Sequence, residues 1–154
     1  MDSFPVDPWQ VQAWLDSISF KQWPQQDPID GQLRPAMVSD TSWHGFGDAT
    51  DSLVEDCLRH FPGCVGRERM LSVVMPGHDI PEHVDRQSNR WRIRLHVPLL
   101  TNPAALFVVE GEPHHLEAGY AYEVDTRKRH AVVNGGETAR VHFMFDVVRA
   151  AGED

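Results

Sequence analysis

Two histidines and one aspartate have the residue types and the spacing of a metal site. His83 and Asp85 end the segment PGHDIPEHVD, and His130 follows 47 residues after His83. Side chains at positions i and i+2 of an extended segment point the same way, so His83 and Asp85 can converge on one ion. With His130 they supply two imidazoles and one carboxylate, the set that binds non-haem iron(II) and leaves positions open. The alternative is a loop histidine followed by an aspartate that caps a turn.

Arg140 is placed beside this predicted site by a predicted hairpin. Residues 134–136, with the sequence NGG, are typical of a three-residue hairpin loop with glycine in the left-handed conformation. If Val133 lies opposite Glu137, then His130 and Arg140 are paired, with Cβ atoms about 5 Å apart. A guanidinium at that position would reach the far end of a small dicarboxylate held by the metal. A register shift of one residue would turn Arg140 to the opposite face.

The composition excludes some classes of partner. The chain has 154 residues with 14 basic and 23 acidic side chains, a formal net charge of −9. This balance argues against a nucleic acid or an anionic membrane as the main partner, and favours a small or local ligand. The start MDSFPVDPWQ lacks the pattern of a signal peptide, and apolar runs such as 104–109 are too short to span a bilayer. A cytoplasmic protein is therefore expected.

The predicted secondary structure changes in character near residue 66. Before it, apolar spacing predicts a helix that begins at Asp7-Pro8 and another over 53–61, and prolines predict an irregular stretch at 22–40. After it, the hydrophobic period becomes two, and turn signals separate six short β-rich runs. Six such strands predict a barrel or a jelly-roll sandwich.

Two of the predicted strands separate their polar and apolar side chains cleanly. Over 90–99, three arginines and His96 share one face and the apolar residues share the other. Over 140–145, Arg140 and His142 likewise lie opposite an apolar face. A solvated polar face is the ordinary explanation. In a small barrel the polar face would instead line an interior pocket, and the apolar face would pack beneath the helices.

These residues resemble a known family. His83-Val84-Asp85, the segment RHAVVN with His130, and Arg140 in ARVHFMFDVV are similar to the iron(II)- and 2-oxoglutarate-dependent oxygenases. More narrowly, the sequence over about 67–148 resembles the aspartyl/asparaginyl β-hydroxylase family, whose bacterial relatives include amino-acid and proline hydroxylases. The animal aspartyl β-hydroxylase lacks the carboxylate ligand. The presence of Asp85 therefore makes this chain more similar to the bacterial members.

The resemblance implies a fold and a reaction. The fold is mainly β, a double-stranded β-helix (jelly-roll or cupin-like) core at 66–150 with N-terminal helices in a cover at 1–65, together one oxygenase domain over 1–154. The reaction uses Fe(II), 2-oxoglutarate and O2 to hydroxylate a C–H bond of an amino acid, an aminoacyl residue or a related small molecule, with release of succinate and CO2. Ascorbate is the expected reductant in vitro. The oligomeric state stays open.

The resemblance also implies roles for single residues. Ser72 stands eleven residues before His83, where the family has a serine that helps to hold the distal carboxylate of 2-oxoglutarate. The segment RIRLH at 92–96 matches a family strand whose arginine and histidine face carboxylates. The implied metal ligands are His83, Asp85 and His130, and the implied cosubstrate contacts are Ser72, Arg94, His96 and Arg140.

Substrate contacts can be ranked by their position near the metal pair. The candidates are Arg86, Gln87, Trp91, Arg92 and Trp43. A solvated position at the rim is the alternative for each of them. The aromatic and glycine-rich loop over 43–47 is in addition a candidate lid.

Two other classes of function are compatible with parts of the sequence. A cupin-type metal-dependent isomerase or ligand-binding protein would share the segment RHAVVN, but cupins usually show H-x-H with a following glutamate, where this chain has H-x-D and Arg140. A β-sandwich without activity that binds a partner protein would leave the co-occurrence of the metal set with Arg140 unexplained.

Overall fold

The computed structural model describes residues 1–17, 36–39, 47–85 and 92–150. The elements in these ranges are β1 (Ser3–Pro5), α1 (Pro8–Ser17), β2 (Ala36–Ser39), α2 (Gly47–Leu58), β3 (Cys64–Val74), β4 (Asp79–His83), β5 (Arg92–Leu100), β6 (Ala105–Val109), β7 (Glu112–His114), β8 (Tyr120–Val124), β9 (His130–Asn134) and β10 (Arg140–Arg149). No helix in the described ranges is long and apolar enough to cross a membrane.

The strands form two antiparallel sheets in a jelly-roll arrangement. The larger sheet has the order β1-β8-β5-β10-β3-β2, and the smaller has the order β4-β9-β6-β7. This confirms the predicted mainly β fold with N-terminal helices. The sequence pattern does not reveal β1, β2 and β7, because runs of three or four residues are too short to show a period of two. It also misses β4, whose sequence DIPEH contains a proline and three polar residues. The prediction of irregular structure over 22–40 is wrong for β2, which pairs with β3.

Both predicted helices are present. The Asp7 carboxylate accepts a hydrogen bond from the Trp9 amide at 2.9 Å, and Pro8 is the first residue of α1. Asp7 is therefore the N-cap that the sequence predicts. Helix α2 begins at residue 47, six residues before the predicted start, and ends at Leu58. The chain then turns into β3 through Gly63, whose φ of 79° lies in the left-handed region that favours glycine.

The helices and the larger sheet share one apolar core. Val11 of α1 and Leu53 of α2 are buried in the same cluster as Leu95 of β5 and Phe143 and Phe145 of β10. Full burial of each of these phenylalanines contributes about 1.5–3 kcal/mol to stability. The opposite face of β5 and β10 carries polar side chains, of which Arg94, His96 and Arg140 line the interior pocket described below. His142 and Asp146 on the same face are buried. The interior interpretation of the polar face is therefore correct, and the solvated one is wrong.

The predicted hairpin between His130 and Arg140 is wrong. Strand β9 lies between β4 and β6 in the smaller sheet, whereas β10 lies between β5 and β3 in the larger sheet. The Cα partner of Arg140 is Val74, so residues 135–139 connect the two sheets instead of closing a hairpin. Neither Gly135 nor Gly136 is among the glycines with positive φ, so the expected left-handed conformation is also absent there. Arg140 reaches the site across the sandwich and not from a paired strand.

Asn134 directs this crossing between the sheets. Its buried side-chain amide donates to the carbonyl oxygens of Val74 in β3 and Thr138 in the connection, both at 2.9 Å. Its side-chain oxygen accepts from Asn102 at 3.1 Å and from the Gly136 amide at 3.1 Å. Because every one of these bonds ties β9 to another segment, Asn134 fixes where β9 ends and where β10 can begin.

We expect Gly136→Ala to destabilise the protein through this network. A Cβ at position 136 would overlap the side-chain amide of Asn102, which also donates to the Thr138 carbonyl oxygen at 3.0 Å. Displacing that amide breaks its hydrogen bonds to Asn134 and Thr138 and strains the packing around it, which should lower the free energy of unfolding by about 1–3 kcal/mol. Gly135→Ala is the matched control, because its Cβ would lie 3.8 Å from the nearest atom. Urea unfolding of both variants tests this, and equal losses would contradict it.

Candidate metal centre

The three predicted metal ligands lie together at one end of the smaller sheet. His83 is the last residue of β4 and pairs with His130, the first residue of β9. Asp85 follows two residues after His83, and its amide donates to the Thr126 carbonyl oxygen at 3.0 Å. The Asp85 Oδ1 atom lies 3.4 Å from His83 Nε2 and 3.6 Å from His130 Nε2. One ligand atom from each residue falls within 4.8 Å of the others, so the three can share one ion.

Both imidazoles are oriented by hydrogen bonds to the backbone. His83 Nδ1 donates to the Pro81 carbonyl oxygen at 2.7 Å, and His130 Nδ1 donates to the Lys128 carbonyl oxygen at 2.8 Å. A carbonyl only accepts, so each Nδ1 carries a proton, and Nε2, which faces Asp85, is the ring nitrogen that can bind a metal. Metal-binding histidines usually donate such a hydrogen bond from the ring nitrogen that does not bind the metal. Two imidazoles and one carboxylate so arranged fit iron(II).

Electrostatics favours the charge state in which these groups attract one another. Burial alone would raise the pKa of Asp85, but its hydrogen bond to His130 and the nearby Arg94 hold that pKa below its ordinary value. Burial alone would lower the pKa of His130, but its hydrogen bond to Asp85 raises it above the ordinary value. The two side chains therefore already form a charge-assisted contact without a metal.

Arg140 is a buried cation without a carboxylate partner in the described part of the chain. It is 2% exposed, and burial lowers its pKa to about 9. Its Nη1 donates to Ser72 Oγ at 3.0 Å, and its Nη2 donates to His142 Nδ1 at 2.8 Å. Ser72 and Arg140 line the same pocket as the three candidate ligands. Since an unpaired buried charge is costly, this arrangement fits an anion that binds inside the pocket.

The two buried histidines beside Arg140 are neutral. His142 Nδ1 accepts from Arg140 and so carries no proton, which makes His96 Nδ1, 3.2 Å away, the donor between the rings. Burial and the Arg140 charge hold the pKa of both histidines well below the ordinary value. In this tautomer His96 Nε2 accepts hydrogen bonds. The predicted contact of His96 with a cosubstrate carboxylate would need a proton there, and it stays a prediction.

Arg94 contacts two carboxylates of the protein itself. Its Nη1 donates to Asp85 Oδ2 at 2.9 Å. Its Nε and Nη2 donate to the two carboxylate oxygens of Asp146 at 2.7 and 3.1 Å. Arg92 also donates to Asp146, at 3.1 Å. The predicted role of Arg94 in cosubstrate binding stays a prediction, since the guanidinium already has these partners.

The pocket around the candidate ligands has a cavity volume of about 60 Å³. It is lined by Ser72, Ile80, His83, Asp85, Arg94, His96, Phe107, Thr126, His130, Val132, Arg140 and Met144. Phe107 stacks on His130, with ring centroids 5.6 Å apart. Sequence reasoning missed Phe107 and Thr126, because a single aromatic or hydroxyl residue in a strand or turn carries no local signal.

A second cavity, of about 440 Å³, shares two wall residues, Arg94 and Thr126, with the metal pocket. Arg92, a predicted substrate contact, lines this second cavity and not the metal pocket. The other predicted substrate contacts lie outside the described residues: Arg86, Gln87, Trp91 and Trp43. Most of the candidate lid over 43–47 also lies outside them.

The sequence profile described as Aspartyl/Asparaginyl beta-hydroxylase matches residues 48–150, about two thirds of the chain. The chain belongs to the aspartyl/asparaginyl β-hydroxylase family. The matched range contains the candidate metal ligands and Arg140, so the resemblance carried by those residues is confirmed at the level of the family. This β-hydroxylase family member is an enzyme of the oxygenase or hydroxylase class, as the sequence predicts. No curated protein sequence matches the chain.

Solved structures share the fold of this β-hydroxylase family member at low sequence identity. AviO1 from Streptomyces viridochromogenes Tue57 is 16% identical, with a TM-score of 0.70 over 97% of this chain and 89% of that chain. SnoN, a non-haem alpha-ketoglutarate-dependent epimerase from nogalamycin biosynthesis, is 13% identical, with a TM-score of 0.71 over 98% and 80%. An oxidoreductase of the 2OG-Fe(II) oxygenase family from Burkholderia pseudomallei is 17% identical, with a TM-score of 0.62 over 95% and 81%. These likenesses support the jelly-roll fold.

Proposed function

We propose that this protein is an iron(II)- and 2-oxoglutarate-dependent dioxygenase that hydroxylates a C–H bond of an amino acid, an aminoacyl residue or a related small molecule. The observation that carries the proposal is one pocket that holds both a two-histidine, one-carboxylate set and the buried Arg140, which has no carboxylate partner among the described residues. The first fits iron, and the second fits the distal carboxylate of a chelating dicarboxylate. Family membership and the fold support the same conclusion.

The metal would be held by His83, Asp85 and His130. When bound, iron supplies the chemistry that couples O2 and 2-oxoglutarate to hydroxylation, with release of succinate and CO2. The Nδ1 hydrogen bonds to Pro81 and Lys128 hold both rings so that Nε2 is free to bind. Three protein ligands leave the remaining coordination positions to cosubstrate and O2.

Arg140 and Ser72 would orient the cosubstrate. A guanidinium fork binds a carboxylate through two parallel bonds, which fixes direction as well as position. Ser72 Oγ accepts from Arg140, so its own proton is free to be donated to the same anion. Ile80, Phe107, Val132 and Met144 supply apolar walls that exclude water from this contact and thereby strengthen it.

A cupin-type isomerase or ligand-binding protein explains less of the site. Such a protein would use the metal set, but it would leave the fully buried guanidinium of Arg140 without an anion to bind. A partner-binding sandwich without activity would leave both the metal set and Arg140 without a role.

The reaction is tested by succinate release. Purified protein with Fe(II), ascorbate and 2-oxoglutarate should form succinate slowly alone, and faster when a panel of amino acids includes the substrate. The product of that reaction should gain the mass of one oxygen atom. Stimulated succinate release without oxygen gain in any product would contradict hydroxylation, and the absence of succinate under every condition would contradict the proposal as a whole.

We expect His142 to act on cosubstrate affinity through Arg140. Leucine at position 142 removes the acceptor of Arg140 Nη2, whereas asparagine offers an oxygen close to the position of Nδ1. A hydrogen bond to a charged group contributes about 1.5–3 kcal/mol, so His142→Leu should raise the half-saturating 2-oxoglutarate concentration about tenfold or more. His142→Asn should restore most of the affinity. Equal values for the two variants, both folded by circular dichroism, would contradict this role.

A further inference from the structure

The two oxygens of the Asp85 carboxylate have different surroundings. Oδ1 faces the Nε2 atoms of His83 and His130, at 3.4 and 3.6 Å. Oδ2 accepts from Arg94 Nη1 at 2.9 Å. The Asp85 amide donates to the Thr126 carbonyl oxygen, which holds the backbone in place. The side chain can still rotate. The hydrogen bond from Arg94 to Oδ2 restricts this rotation.

Arg94 is itself held by a buried carboxylate of the neighbouring strand. Asp146 of β10 is 2% exposed and is the Cα partner of Arg94 in the β5–β10 register. It binds Nε and Nη2 of Arg94, which are two donors of the rigid guanidinium fork. Because the fork is planar, fixing these two donors also fixes the direction in which Nη1 points. Asp146 thus aims Arg94 at Asp85.

We infer that Arg94, held by Asp146, is a positioning residue that reserves Oδ1 of Asp85 for the metal. Oδ2 accepts from Arg94, which favours metal binding through Oδ1 alone over chelation through both oxygens. This inference rests on the proposed metal-binding function. It moves Arg94 from the cosubstrate to the support of a metal ligand, and it leaves Arg140 as the pocket arginine that has no carboxylate partner in the described part of the chain.

The charges of this cluster explain why it can be buried. Asp85 and Asp146 carry two negative charges, and Arg92 and Arg94 carry two positive charges. A network of matched charges whose hydrogen bonds are satisfied is stable where an isolated buried ion is not. Both arginines contact Asp146, and Arg94 is the one that also donates to Asp85.

This difference provides a matched pair of variants. Arg94→Met and Arg92→Met each remove one arginine from Asp146 and leave it the other, so both should fold. Mn(II) serves as a redox-stable probe, and its free concentration is followed by electron paramagnetic resonance. Loss of an outer contact to a metal ligand costs roughly 10- to 100-fold in metal affinity. We therefore expect Arg94→Met to weaken Mn(II) binding by that factor, and Arg92→Met to change it less than about threefold.

Asp146→Asn provides the second test. It should weaken Mn(II) binding in the wild-type background but add little in the Arg94→Met background, because both changes remove the same contact. If Arg94→Met binds Mn(II) as tightly as the wild type, or if Arg92→Met loses as much, the inference is overturned while the proposed function stands. If the wild type itself binds no Mn(II), or if His83→Ala binds it equally well, the proposed function fails and the inference fails with it.

Discussion

Replacing His83 with alanine is expected to abolish metal binding and succinate formation. His83 supplies one of three ligand atoms, and its Nε2 lies 3.4 Å from Asp85 Oδ1. Loss of an outer contact already costs roughly 10- to 100-fold in metal affinity, so loss of a ligand should cost at least 100-fold. The side chain is 41% exposed, so the substitution should leave the fold intact. Mn(II) titration and succinate release measure the two effects.

His78→Ala is the matched control for this change. His78 lies in the turn five residues before His83 and is not part of the three-residue metal set. Its backbone carbonyl accepts from the Asn134 amide, a contact that alanine preserves. Metal affinity and turnover of His78→Ala should stay near the wild-type values. Normal Mn(II) affinity in a folded His83→Ala protein would contradict the assigned metal centre.

Replacing Arg140 with methionine is expected to weaken 2-oxoglutarate binding strongly and leave metal binding intact. Arg140 contacts Ser72 and His142 and none of the three candidate metal ligands. Truncating one partner of a buried charge pair costs about 2–5 kcal/mol, which corresponds to a loss of cosubstrate affinity on the order of 100-fold. Mn(II) affinity should be unchanged. Binding of 2-oxoglutarate to the Mn(II)-loaded protein is measured by calorimetry.

The same variant should show little loss of stability without ligand. The wild type buries a cation that has no carboxylate partner in the described part of the chain, and methionine removes this unfavourable charge. Saturating 2-oxoglutarate at 100 times Kd stabilises the wild type by about 2.7 kcal/mol, so its Tm should rise by several degrees with Mn(II) present. At the same concentration a 100-fold weaker Arg140→Met gains only about 0.4 kcal/mol, so its Tm should rise far less than that of the wild type. Equal ligand-induced shifts in the two proteins would contradict the role of Arg140.

The sequence predicts the strands better than their arrangement. A period of two is a local property, so the six predicted β-rich runs are readable from neighbouring residues. The sheet that a strand joins depends on distant contacts. The NGG segment at 134–136 has hairpin chemistry, yet Asn134 binds Val74 of the other sheet, 60 residues away in sequence. That contact overrides the local preference and separates β9 from β10.

The candidate site shows the same division between local and distant information. His83 and Asp85 are two residues apart, so their convergence follows from the geometry of an extended segment. The expected proximity of Arg140 to the site is correct, but the pairing with His130 behind that expectation is wrong. The partner of Arg94, Asp146, is 52 residues away and lies on a strand whose register the sequence does not reveal. The contact between Arg94 and Asp146 is therefore not visible from the sequence alone.

The most direct test of the proposed function is anaerobic addition of 2-oxoglutarate to the iron(II)-loaded protein. Chelation of the metal by the cosubstrate should produce a new visible absorption band that saturates with 2-oxoglutarate. In Arg140→Met the same band should require on the order of 100-fold more 2-oxoglutarate, and in His83→Ala it should be absent. A wild-type protein that holds iron(II) and shows no spectral change at millimolar 2-oxoglutarate would contradict the central claim.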